Sequence, residues 1–319
     1  MKKSGLLWLA LYFLIIAAPL WAQYPLAAQN HFQVGQGRLK EGRLEEAEKE
    51  LQEAIKIAPD YKDAYYLLGI CQFQQQAYSI AQETFQELLK HDSRFTPAYL
   101  YLAEIYRINR KYDKAALQLE KALQIDPGLL QAQYALGVLY YAQGKLELAI
   151  SQWEKILPQK KDDPNVLYNL GCAYFQKKDF KAAYNMLVQA VKFSPNEADC
   201  HFALAWVLDG MGKQAEAKAT YENLLKQFPN TPYSNLTQAI LQINAGEPDH
   251  AQNFLTPLEE KKWDNYYLPL LEARIAQMRN QPDNARKYLE QALQLNPNSW
   301  QARKMLEQLK LQKEAQPGR

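Results

Sequence analysis

Residues 130–163 read LQAQYALGVLYYAQGKLELAISQWEKILPQKKDD, and this stretch holds one full period of the chain. From Gln131 to Gln143, small and apolar residues recur at helical spacing: Tyr134, Leu136, Gly137, Val138, Tyr140 and Tyr141. Gly144 and Lys145 interrupt the pattern, and Leu146 to Leu157 resumes it. The reading is helix, turn, helix. A shift of 34 residues in either direction brings the pattern back. Its firmest marker is alanine, at Ala47, Ala81, Ala115, Ala149, Ala183, Ala217, Ala251 and Ala285. With Ala at roughly one position in ten, eight in register by chance has a probability on the order of 10⁻⁸, so the period is architectural.

A second lattice runs 12 residues earlier: Gly35, Gly69, Ala103, Gly137, Gly171, Ala205, Ala239 and Ala273. Small residues at one point on each helix let two antiparallel backbones approach closely. Leu68, Leu102, Leu136, Leu170 and Leu204 stand beside that point to fill the flanks. Gly42, Gly144, Gly212 and Gly246 occupy the break between helices and suit a helix end at positive φ. Pro59, Pro127, Pro195, Pro229 and Pro297 close the second helix of their periods.

Tyr65-x-x-Leu68-Gly69 followed by Ala81-x-x-x-Phe85, and Leu136-Gly137-x-x-Tyr140 followed by Ala149-x-x-x-Trp153, resemble the tetratricopeptide repeat. The resemblance implies an all-α fold, a right-handed α-solenoid of eight 34-residue helix–turn–helix repeats. They span 28–61, 62–95, 96–129, 130–163, 164–197, 198–231, 232–265 and 266–299. A capping helix over 300–313, with Ser299 as its cap, and a tail over 314–319 complete the chain. The departures are local. Ser93 and Lys161 replace the closing proline, and Pro158 ends the second helix of repeat four early. Repeat seven has Gln238 in place of Leu, Pro257 inside its second helix and Trp263 at the closing position, which predicts a kink or a shorter helix.

Residues 1–22 are of another kind. Lys2 and Lys3 precede an apolar run from Leu6 to Ala18, and Leu20-Trp21-Ala22 resembles a cleavage site, so the segment reads as a secretory signal peptide. A short linker, 23–27, follows. The expected location is periplasmic or secreted; the alternative is an uncleaved anchor through residues 5–22. Nothing later in the sequence reads as a spanning helix. Removing Lys2 and Lys3 from 37 basic residues leaves 35, against 35 acidic ones. A neutral chain argues against nucleic acid as partner. Lys160-Lys161, Lys177-Lys178 and Lys261-Lys262 read as solvated pairs near turns.

Chemistry is absent from the pattern. His31 and His201 stand at packing positions, while His91 and His250 are isolated, so no zinc spacing arises. No nucleophile elbow or phosphate loop occurs. Cys71 and Cys200 fall at small core positions and Cys172 on the groove side; a Cys172–Cys200 disulfide stays open. The reading assigns no catalytic residue, cofactor or metal, and expects no enzyme.

The resemblance also implies that the first helix of each repeat lines a concave groove. Its lining is aromatic: Phe32, Tyr66, Tyr134, Tyr168 and Phe202 share one column, Phe73, Tyr141 and Phe175 another, and Trp206 and Tyr233 add to them. Part of each such ring packs on its neighbour, yet Tyr and Trp are also the side chains of binding hot spots. The expectation is a protein-binding scaffold that holds a partner segment in this groove, in assembly of a cell-envelope machine, with Tyr168 and Trp206 as anchors. The alternative is a glycan-binding module, with Gln131, Asn165, Gln176 and Asp199 as hydrogen-bonding neighbours.

Overall fold

The computed structural model describes residues 24–315, and among them are 17 helices and no strand. The expected signal segment, its cleavage point and the end of the tail lie outside the described residues. The chain divides into two compact units, Met1–Leu129 and Leu130–Arg319.

The N-terminal unit holds repeats one to three. They are the pairs α1 (Leu26–Lys40) and α2 (Leu44–Ile57), α3 (Lys62–Gln74) and α4 (Tyr78–His91), and α5 (Thr96–Ile108) and α6 (Tyr112–Ile125). The C-terminal unit holds α7 (Leu130–Ala142) and α8 (Leu146–Glu154), α9 (Pro164–Gln176) and α10 (Phe180–Phe193), and α11 (Ala198–Gly210) and α12 (Gln214–Gln227). It continues with α13 (Pro232–Ala245) and α14 (Pro248–Glu260), α15 (Tyr267–Met278) and α16 (Pro282–Leu295), and the capping helix α17 (Trp300–Ala315). In α17, Ser299 Oγ accepts from the Ala302 amide at 3.3 Å, as its capping role requires.

The alanine lattice is buried throughout, at 2% exposure or less. The second lattice has a partner that the sequence reading left unassigned. Sixteen residues after each small residue stands a bulky one: Leu51, Phe85, Leu119, Trp153, Leu187, Tyr221, Leu255 and Leu289, all at 1% exposure or less. A methyl on Gly69 would lie 2.6 Å from the Phe85 ring, and one on Gly171 would lie 2.5 Å from Leu187 Cγ. The small residue is therefore the socket for the second helix's largest side chain.

The break position also repeats in all eight units. Gly42, Gln76, Arg110, Gly144, Lys178, Gly212, Gly246 and Asn280 all adopt positive φ, between 55° and 85°. Four of the eight are not glycine, so the geometry is imposed by the hairpin and tolerated by those residues at a cost of about 1 kcal/mol each.

Two local expectations meet different ends. The second helix of repeat four stops at Glu154, nine residues long and before Pro158. By contrast α14 runs through Pro257 to Glu260 at 13 residues, one fewer than the 14 of most second helices. The linker expected over 23–27 is not loose either: α1 starts at Leu26, and Tyr24 stacks on Tyr61 at 4.0 Å.

Candidate interaction surfaces

In the N-terminal unit, Phe32, Tyr66 and Phe73 project from first helices and each stays half-exposed. They share their inner edges with the scaffold. Phe32 lies 4.9 Å from the Tyr61 ring, Tyr66 lies 5.1 Å from Phe95, and Phe73 lies 5.4 Å from Tyr101. Tyr101 in turn stacks on buried Phe85 at 5.0 Å. Each ring is held by its neighbour and stays partly exposed, as a preorganised contact surface requires. On α5 the Arg107 guanidinium grips Glu104 at 2.6 and 2.7 Å and neutralises it.

In the C-terminal unit the corresponding face is covered by its own chain. Phe202 (0% exposed) and Trp206 (5%) lie beneath Tyr267, with ring separations of 4.9 and 5.2 Å. Phe175 (2%) lies 5.9 Å from Trp300, which also packs on Phe180 at 6.0 Å and receives the Lys178 ammonium over its face at 5.2 Å. Three of the ten expected groove residues, Phe175, Phe202 and Trp206, are thus core residues here and present no open surface. The expectation for them is corrected: the first turn of α15 and the start of α17 fold over them.

Hydrogen bonds extend the seam. Gln176 Nε2 donates to Tyr266 Oη at 3.2 Å, Asn298 Nδ2 to the Tyr141 carbonyl at 2.9 Å, and Asn296 Nδ2 to Tyr141 Oη at 3.5 Å. These contacts join residues up to 157 apart in sequence. Repeat eight therefore touches repeats four, five and six, whereas a simple solenoid joins only neighbours. Tyr134, Tyr141, Tyr168 and Tyr233 remain half-buried along the edge. Tyr134 Oη accepts from Asn169 at 2.9 Å, and Tyr233 meets Trp263 edge-on at 5.5 Å.

Enclosure shows in the titration behaviour. Burial, ahead of every other cause, pushes the Tyr168, Tyr266 and Tyr267 hydroxyls well above the ordinary tyrosine value. The same cause raises the Cys172 thiol to about 12 and the Cys71 thiol to about 11. All three cysteines are free, and a protonated, buried thiol is a poor nucleophile. His201 is buried with its Nε2 2.9 Å from the Pro195 carbonyl, and His31 Nδ1 sits 2.7 Å from Glu50. Asp163 caps α9, accepting from Asn165 and Val166 amides at 3.1 and 3.2 Å. Among the described residues no cluster of His, Cys, Asp or Glu is placed to hold a metal. No described helix is long and apolar enough to cross a membrane.

Sequence reasoning missed Tyr266, Tyr267, Asn298 and Trp300 as residues that pack on repeats four, five and six. In the structure nine of the twelve residues of α15 are buried, Glu272 among them; its sequence, with Glu272, Arg274 and Gln277, does not stand out from the other first helices.

Stacked helical hairpins with a 34-residue lattice define a helical repeat solenoid. The tetratricopeptide repeat signature matches residues 38–105, 106–168, 174–240 and 273–299, more than half of the chain, and the chain belongs to that family. Similar solved structures include a tetratricopeptide repeat protein from Parabacteroides merdae (16% identity, 90% of this chain and 100% of that one, TM-score 0.58). Another is the C-terminal part of a repeat-containing protein from Cytophaga hutchinsonii (19% identity, 86% and 99%, TM-score 0.56). A third is PilW, a type IV pilus biogenesis factor (17% identity, 68% and 99%, TM-score 0.57). At these identities the likeness is one of fold. No protein of curated function matches the chain. The repeat fold is generally a non-enzymatic scaffold for protein interaction.

Proposed function

We propose that this protein is an exported scaffold that holds a partner protein on the concave face of repeats one to three. The carrying observation is the contrast between two aromatic faces. Phe32, Tyr66 and Phe73 keep exposed ring surface, whereas Phe202 and Trp206 are covered by the chain itself. Half-held tyrosine and phenylalanine rings offer area at low entropic cost, which is what hot spots use. The partner is a peptide segment with apolar side chains, since the charges at Lys62, Glu104 and Arg107 on these first helices are already paired. Export rests on the leader pattern of residues 1–22, and a role in assembling an envelope machine is the use that would suit that location.

The test is photo-crosslinking in the native cell from Tyr66 and, in parallel, from Tyr168. A discrete protein adduct from Tyr66, with little or none from Tyr168, supports the reading. Adducts from Tyr168 alone contradict it. One observation favours the second reading, glycan binding: Tyr134, Gln131 and Asn165 line a common cavity of about 360 Å³. A glycan adduct from Tyr134 would move that reading forward.

A further inference from the structure

One position in the turn between repeats recurs eight times, and it is treated in two ways. Asp60, Arg94, Gly128, Asp162, Asn196, Asn230 and Asp264 are exposed there, whereas Asn298 is 3% exposed. Asn296 (3%) and Ser299 (0%) are buried with it. The turn holds its own shape. The Asn298 amide donates to Asn296 Oδ1 at 3.0 Å, and the Ser299 amide donates to the Asn296 carbonyl at 3.1 Å. Residues 296–300 thus form a preorganised segment laid against repeats four and five, which are not its neighbours in sequence.

Its seat is made by the ends of α7 and α9 and the start of α10. Trp300 packs there on Phe175 and Phe180, with the Lys178 ammonium over its face. Asn298 is clamped to the Tyr141 carbonyl, and Pro297 lies beside Gly144, where an added methyl would be 3.8 Å from the proline Cβ. A tryptophan in an aromatic cradle with an amide clamp beside it is the arrangement of a binding anchor. Yet the segment is not built as core. Beside Trp300 it buries two amides and a hydroxyl, groups that water solvates well. Closure also strands polar atoms. Trp300 Nε1 and Gln301 Oε1 on the side of the segment, and Gln176 Oε1 on the side of the seat, have no hydrogen-bond partner among the described residues. Buried as they are, they are denied water, and each regains it when the segment leaves. Aromatic packing therefore holds the contact while desolvation opposes it.

We propose that residues 296–300 are an autoinhibitory strap, which fills in cis a tryptophan-accepting docking site of the C-terminal unit. The site's occupant in trans is a segment of a partner protein that presents a tryptophan beside amide side chains, the chemistry that the strap itself shows fitting the seat. Tethering gives the strap an effective concentration on the order of millimolar, so weak ligands are shut out and only a segment that binds more tightly displaces it. The device belongs to the C-terminal unit alone, so it stands or falls separately from the reading of repeats one to three.

Fluorescence anisotropy of a fluorescein-labelled peptide spanning residues 294–304, titrated with the full-length protein, tests the proposal. Asn298→Ala/Trp300→Ala weakens the strap and leaves the seat unchanged, so it should bind the peptide at least about tenfold more tightly than the parent. Gly144→Cys/Pro297→Cys should lock the strap, since a Cβ separation of 3.8 Å suits a disulfide. When oxidised, that variant should lose peptide binding, and dithiothreitol should restore the parent's level. A peptide carrying Trp300→Ala should not bind the released variant. Asn298→Ala alone keeps the aromatic contacts and should gain severalfold; it carries the test if circular dichroism melting shows the double variant unfolded. Equal peptide affinity in the parent and the released variants overturns the proposal, as does a folded released variant that does not bind. A parent that dimerises in gel filtration, and ceases to do so when locked, would give the seat to a second copy of this chain and overturn the partner reading.

Discussion

Repeats one to three and repeats four to eight are written in the same 34-residue lattice, yet they use their first helices differently. In the N-terminal unit the aromatic column packs sideways on its neighbours and keeps an outer face. In the C-terminal unit Phe175, Phe202 and Trp206 are roofed by Tyr267 and Trp300 and have become core, while Tyr134 and Tyr168 stay half-buried as Tyr66 does. A periodic sequence fixes contacts between adjacent repeats, which each repeat makes with the next. It does not fix whether the far end of the array returns. In this protein the return is made by a few aperiodic residues: Tyr266, Tyr267, Asn296, Asn298 and Trp300.

The contrast can be broken most forcefully at Tyr267. Tyr267→Ala removes the roof over Phe202 and Trp206 and should cost about 3–5 kcal/mol in chemical denaturation of the C-terminal unit. Tyr66→Ala, the half-buried counterpart, should cost about 1 kcal/mol of stability. Its effect should appear in partner affinity, with a loss of about 2 kcal/mol in titration against the crosslinked partner once identified. Equal destabilisation by the two substitutions would erase the distinction between roofed and open faces.

A pH experiment sharpens it further. Glu272 is buried at 7% exposure, and burial, followed by its hydrogen bond to Glu259 and that group's charge, raises its carboxyl from 4.5 to about 8. The folded unit then holds a proton that the unfolded chain releases above about pH 4.5. The contribution is complete below that value and is lost as pH rises through about 8. Unfolding midpoints of the C-terminal unit should fall over this window, and Glu272→Gln should flatten the fall, by at least about 1.4 kcal/mol at its upper end. A midpoint that stays level in the parent protein would contradict the assignment.

The smallest effects lie at the hairpin breaks. Gln76→Gly and Lys178→Gly both relieve a positive φ, and each should add about 0.5–1 kcal/mol, read from denaturation midpoints. Lys178 should gain less, because its aliphatic stem and charge lie over Trp300. The reverse exchanges, Gly42→Ala and Gly144→Ala, should each cost about 1 kcal/mol for the positive φ, since the first meets open space and the second only ordinary van der Waals contact with Asn298 and Pro297.

Much of the fold was legible because its determinants repeat. The alanine and small-residue lattices, the closing prolines, the early end of repeat four and the Ser299 cap all follow from positions in one frame. The break position was half legible: Gly42, Gly144, Gly212 and Gly246 announce a positive φ, but Gln76, Arg110, Lys178 and Asn280 adopt it without any residue-type signal. At Pro257 the outcome is milder than the early stop in repeat four, since α14 continues through the proline to Glu260. The aromatic column was correctly seen as a feature, and its burial in repeats five and six was not. Contacts between residues 157 apart leave no periodic trace.

The most direct test of the closed C-terminal unit is native-state hydrogen exchange on the double variant Asn298→Ala/Trp300→Ala. The account predicts faster exchange at residues 141–144 and 175–178, the ends of α7 and α9 that Asn298 and Trp300 cover. The N-terminal unit should exchange as before. Faster exchange confined to α16 and α17, with α7 and α9 unchanged, would show a solenoid coupled only to its neighbours and would contradict the closure.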